Sequence, residues 1–122
     1  MTVQEMARKI LDFVDGWQPA TFYELIEHLG TEAKGDQAVE IPTYPNVWAW
    51  DGVSSKFIDA LNLIKSKLCP NTTDPLVYLM DGGILNLPIA KKIAPYKTPH
   101  WLPVTLNIRT ETAQREIDVA KH

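Results

Sequence analysis

With 122 residues, 45% apolar and 22% charged side chains, the chain has the composition of one globular domain able to bury a sizeable core. Its formal charge of −3 argues against a general nucleic-acid binder. No apolar run approaches the roughly 18–20 residues of a membrane span.

Met1–Glu5 lacks the basic and apolar regions of a signal peptide. The single cysteine, Cys69, excludes an internal disulfide, so the expectation is a cytoplasmic protein. Charge is unevenly distributed. Residues 1–60 carry four basic and ten acidic side chains, and residues 61–122 carry eight basic and five acidic, so the halves stand at −6 and +3.

Taken in chain order, Thr2 with Glu5 is a capping-box pattern, and Val3, Met6, Ala7, Ile10, Phe13 and Val14 recur at helical spacing up to Gly16. Thr21 and Glu24 repeat the pattern ahead of Phe22, Leu25, Ile26 and Leu29, with Gly30 at the C-cap position. Residues 31–46 are mostly polar and read as a long loop. Val47–Trp50 reads as a short strand with Trp48 and Trp50 on one face. A third helix is predicted over 53–68, capped by Asp51 or Ser54, with Phe57, Leu61, Ile64 and Leu68 inward; Cys69-Pro70-Asn71 stops it. The sequon Asn71-Thr72-Thr73 reads as a turn.

Leu76–Met80 and Ile84–Leu87 read as a hairpin around Asp81-Gly82-Gly83. A basic, proline-punctuated stretch follows, then a strand over 101–108, placed at a sheet edge because of Pro103. Residues 110–122 have weak helical spacing at Ala113, Ile117 and Ala120. They read as a marginal helix or flexible tail.

Two short capped helices, a third amphipathic helix and a glycine-turn hairpin (3–15, 21–29, 53–68 and 76–88) resemble the winged-helix superfamily in element order. The expected class is therefore α+β: a winged-helix-like three-helix domain over 1–109, with 31–52 a long loop and short strand, 76–88 a C-terminal β-hairpin wing, and 110–122 a C-terminal extension. The long gap over 30–52 and the residues after the hairpin depart from the plan. The resemblance implies double-stranded DNA as partner, with the third helix in the major groove and the wing on the backbone. The superfamily also contains domains that bind only protein.

On that third helix the outward face carries Ser55, Asp59, Asn62 and Ser66, flanked by Lys56, Leu63 and Lys67 on one side and Ile58 and Lys65 on the other. Ser55, Asn62 and Ser66 can bond base edges; Lys56, Lys65 and Lys67 can reach phosphates. Asp59, in the middle, would be repelled by them. From Lys65 to Arg109 there are six cations and two acids, with Tyr78, Tyr96, His100 and Trp101 interleaved. Lys91, Lys92 and Lys97 are thus further candidate phosphate contacts.

Trp48, Trp50 and Leu63 are the candidate contacts to a protein partner or to a second copy. His28, His100 and His122 have no metal-ligand spacing, Cys69 has no CxxC partner, and no nucleophile or phosphate-loop motif occurs. The expectation is a non-catalytic protein without metal or cofactor: a DNA-binding transcription or replication accessory, or alternatively a protein-interaction module.

Overall fold

Val3–Gly16 form the first helix, α1, in a computed structural model that describes residues 1–109. The expected helix or tail over 110–122 lies outside the described residues. The Thr2 hydroxyl accepts from the Glu5 N–H, and Met6, Ala7, Ile10 and Val14 are buried. Strand β1 (Ala20–Thr21) leads into α2 (Phe22–Leu29). Thr21 and Glu24 cap that helix reciprocally, and Gly30 ends it with a positive φ of 83°.

Residues 31–52 are not a long loop with one short strand. After a 3₁₀ turn (Thr31–Ala33) they begin a hairpin of β2 (Lys34–Ile41) and β3 (Tyr44–Val53). Its first strand lies at a sheet edge and is largely exposed, so its sequence is polar and lacks clean alternation. Its turn uses Pro42-Thr43, with Thr43 at φ 70°, where glycine or asparagine is the usual signal.

Helix α3 (Ser55–Ile64) is capped by Ser54, whose hydroxyl accepts from the Phe57 N–H. It buries Phe57, Ala60 and Ile64, and leaves Ser55, Asp59, Asn62 and Leu63 exposed. It is shorter than predicted. Lys65–Lys67 tighten into a 3₁₀ turn, and Leu68–Thr72 form β4 in place of a stop and turn at 69–73. Pro70 is tolerated because β4 is an outer strand.

The hairpin expected over 76–88 is absent. Pro75–Asp81 form helix α4 instead. Asp74 caps it, Pro75 occupies its first turn, and Gly82 ends it in the left-handed region at φ 86°. The glycine read as a hairpin turn is thus a helix C-cap. The remaining strands are β5 (His100–Trp101) and β6 (Val104–Ile108). Strand β6 is no edge: it lies between β1 and β4, antiparallel to both, with Pro103 just ahead of it.

Among the described residues the architecture is α+β, with four α-helices and two three-stranded sheets, ordered β1-β6-β4 and β2-β3-β5. Both sheets contribute to one core with α1, α2 and α3, through residues such as Ile10, Leu25, Val47, Val53, Phe57 and Leu106. The hairpin is held to α3 at its base, where the Ser54 N–H donates to the Ala33 carbonyl (2.9 Å) and the Ser54 hydroxyl to the Glu32 carbonyl (2.7 Å). Gly35 permits this approach: a Cβ there would lie 2.8 Å from both Ser54 Cα and the Val53 carbonyl oxygen. Because those neighbours are backbone, Gly35→Ala is expected to cost about 1–3 kcal/mol by forcing the strand off the helix. A lowered urea midpoint, with faster amide exchange in β2, is the expected readout.

Candidate interaction site

The first turn of α3 is less available to a phosphate than its sequence suggests. The Lys56 ammonium donates to the Met1 carbonyl (2.6 Å) and to Glu32 Oε1 (3.1 Å). Hydrogen bonds from the amino group of Met1 and from Lys56 hold the Glu32 carboxyl below its ordinary value. Ser55, Asn62, Lys65, Ser66 and Lys67 are exposed, and so is Asp59 in their midst. Leu63 is 56% exposed beside them. These residues share α3 and the turn that follows it. Lys91, Lys92 and Lys97 are also exposed, but on residues 82–99, which pack elsewhere. There Asn46 Nδ2 donates to the Tyr96 carbonyl, and the Ala90 and Trp101 N–H groups bond to the Trp101 and Pro88 carbonyls. That stretch is fastened to the hairpin sheet, not to the sheet that α3 leads into.

The two tryptophans of β3 separate. Trp50 is buried, stacked on Tyr78 at 5.1 Å between ring centroids and edge-on to Trp101 at 5.9 Å. It is a core residue, out of reach of a partner. Trp48 is half-buried, and its indole N–H donates to the Pro45 carbonyl. His28 stacks on Phe13 and His100 on Tyr96.

The surface that the sequence reading missed is α4. Tyr78 is its one buried side chain. Leu76, Leu79 and Met80 are 55%, 55% and 80% exposed, with Val77 and then Ile84 also exposed. Residues 76, 79 and 80 are neighbours on a helix. A seven-residue helix with this much apolar surface facing outward is the inverse of the usual pattern. Its signal was present: Asp74-Pro75 is a helix start and Gly82 a helix stop.

Tyr78 anchors α4 across the molecule. Its hydroxyl accepts from the Phe22 N–H and donates to the Val104 carbonyl. Thr21 Oγ1 donates to Asp81 Oδ2 (3.0 Å), while Glu24 Oε1 takes the Thr21 N–H (3.1 Å). Two carboxylates therefore stand at the N-terminus of α2, where a nucleic-acid phosphate would otherwise be attracted.

Compared with known proteins, the chain matches no family model, and neither a curated protein nor a solved structure matches it significantly. No helix of the described residues is long and apolar enough to cross a membrane.

Proposed function

We propose that the chain is a non-catalytic, winged-helix-like interaction module of the cytoplasm that contacts a protein partner through α4. The helix–helix–helix–hairpin plan is supported by α1, α2, α3 and the antiparallel pair β4–β6. In this reading the wing is displaced from 76–88 to that pair, and residues 73–103 are its enlarged connection. The observation that carries the reading is the outward apolar face of Leu76, Leu79 and Met80. A short helix pinned by Tyr78 presents it on a rigid support, as an interface anchor requires.

The test is a double variant, Leu76→Asp with Met80→Asp. Both side chains are more than half exposed, so stability should change by only about 0.5 kcal/mol. Crosslinking in a cell lysate, read by mass spectrometry, is expected to give a discrete adduct with the wild type and with Lys65→Ala/Lys67→Ala. The adduct should be lost with the α4 variant. An adduct that survives the α4 variant overturns the reading.

The second reading, a DNA-binding regulatory or accessory protein, is favoured by the exposed Ser55, Asn62, Lys65, Ser66 and Lys67 on and just beyond α3. Asp59, the engagement of Lys56 by Glu32 and the carboxylates at the start of α2 weigh against it. A salt-dependent mobility shift with duplex DNA, weakened by Lys65→Ala/Lys67→Ala, would move the conclusion to that reading.

A further inference from the structure

Between α3 and the β2–β3 hairpin lies a cleft of about 290 Å³. We propose that it binds a small, uncharged, apolar molecule about the size of a fused bicyclic aromatic. This goes beyond the partner surface on α4 and does not depend on it.

The cleft follows from how the hairpin is attached. Its base is fixed to the start of α3 at Gly35 and Ser54, and its far end is fixed to β5 and Tyr96 through β3. Between these points the outer strand β2 stands off the helix. Ala38 and Ile41 on the hairpin face Ile58 and Leu61 on α3, over a floor that includes Phe22 and Leu106. Ala38 and Ala49 are too small to fill the gap, so the lining side chains lack partners across it.

Size and polarity choose the occupant. An apolar cavity of roughly 150 Å³ accommodates benzene. A space about twice that size suits two fused rings or a chain of comparable bulk. Three polar side chains, Glu40, Asn62 and Lys65, reach the lining. The acid and the base cancel, so nothing at the mouth selects for a net charge. The Asn62 amide makes no side-chain hydrogen bond among the described residues and can bond one polar atom of the ligand. The wall can also adapt. Strand β2 has a neighbour on one side only, and its register with β3 shifts at four places.

The probe is 6-propionyl-2-(dimethylamino)naphthalene, a neutral fused bicycle that is fluorescent in apolar surroundings and carries one carbonyl for the Asn62 amide. We expect saturable 1:1 binding to the folded chain, with methyl NMR shifts at Ile41, Ile58 and Leu61. Ala38→Leu, which fills the cleft from an outer strand, should weaken binding at least tenfold while the circular dichroism spectrum is retained. Unchanged affinity in folded Ala38→Leu overturns the proposal. So do shifts centred on Leu76 and Met80, which would place the probe on α4. If Ala38→Leu does not fold, the wild-type methyl map decides alone.

Discussion

Replacing Trp101 by alanine is expected to cost about 3–5 kcal/mol, the range for truncating a fully buried large aromatic. Trp101 is 0% exposed and meets Tyr78 edge-on at 5.2 Å and Trp50 at 5.9 Å. Each such aromatic pair contributes about 0.5–1.5 kcal/mol beyond the area it buries. The indole N–H also donates to the Ala49 carbonyl (3.2 Å), which truncation leaves without that partner. Around the same residue, β5 pairs with β3, the Leu102 N–H bonds to Trp48, and Ile89 bridges back to Trp101. Losing the ring loosens the hairpin and the long connection together. Since a domain has only about 5–15 kcal/mol of stability, the variant should unfold at a far lower urea concentration. Amide exchange should quicken most in β3 and near Ala90. A midpoint close to wild type would mean that the trio of rings is not what fastens α4 to the hairpin sheet.

The same trio explains what sequence could not disclose. Trp50 reads as a possible anchor because two tryptophans alternate on a strand. Its burial depends on Tyr78 and Trp101, which are 28 and 51 residues further along. No local pattern reports a packing made by three distant segments. By contrast, α1, α2 and the inward stripe of α3 were legible, because their caps and their apolar spacing are local and agree with each other. The hairpin over 34–53 was hidden for the opposite reason. An outer strand needs no apolar alternation, and Pro42-Thr43 is not a standard turn pair.

The sequence over 76–88 is ambiguous in principle, and the structure resolves it as a helix, Pro75–Asp81. Five apolar residues in a row suit a buried strand or a helix equally. Asp-Gly-Gly suits a hairpin turn or a helix stop. Asp74-Pro75 at the front end favoured the helix, and the structure follows it. The consequence for function is direct. A strand would have hidden alternate residues, whereas the helix buries only Tyr78 and turns Leu76, Leu79 and Met80 outward.

Tyr78 then becomes the residue on which that surface hangs. Its alanine variant should lose about 3–5 kcal/mol, like other buried aromatics. The more informative change is Tyr78→Phe, which keeps the ring against Trp50 and Trp101 and removes only the hydroxyl. The Phe22 N–H and the Val104 carbonyl then lose a buried partner, at a cost of about 1–3 kcal/mol.

Alkali separates this effect from packing. Burial, reinforced by the Asp81 and Glu24 carboxylates, pushes the phenol well above its ordinary value of 10.0, against the opposing pull of the Phe22 N–H. The unfolded phenol releases its proton near 10.0, while the folded one keeps it. The folded state then binds more protons, so this stability is complete below about pH 10 and is lost as the pH rises beyond it, at up to about 1.4 kcal/mol per pH unit. Urea midpoints at pH 9 and pH 11 should therefore show wild type falling by more than Tyr78→Phe, with the gap between them narrowing at pH 11. Parallel declines would mean that the hydroxyl is not held in a dry site. The fastening of α4 to α2 and β6 would then rest on ring packing alone.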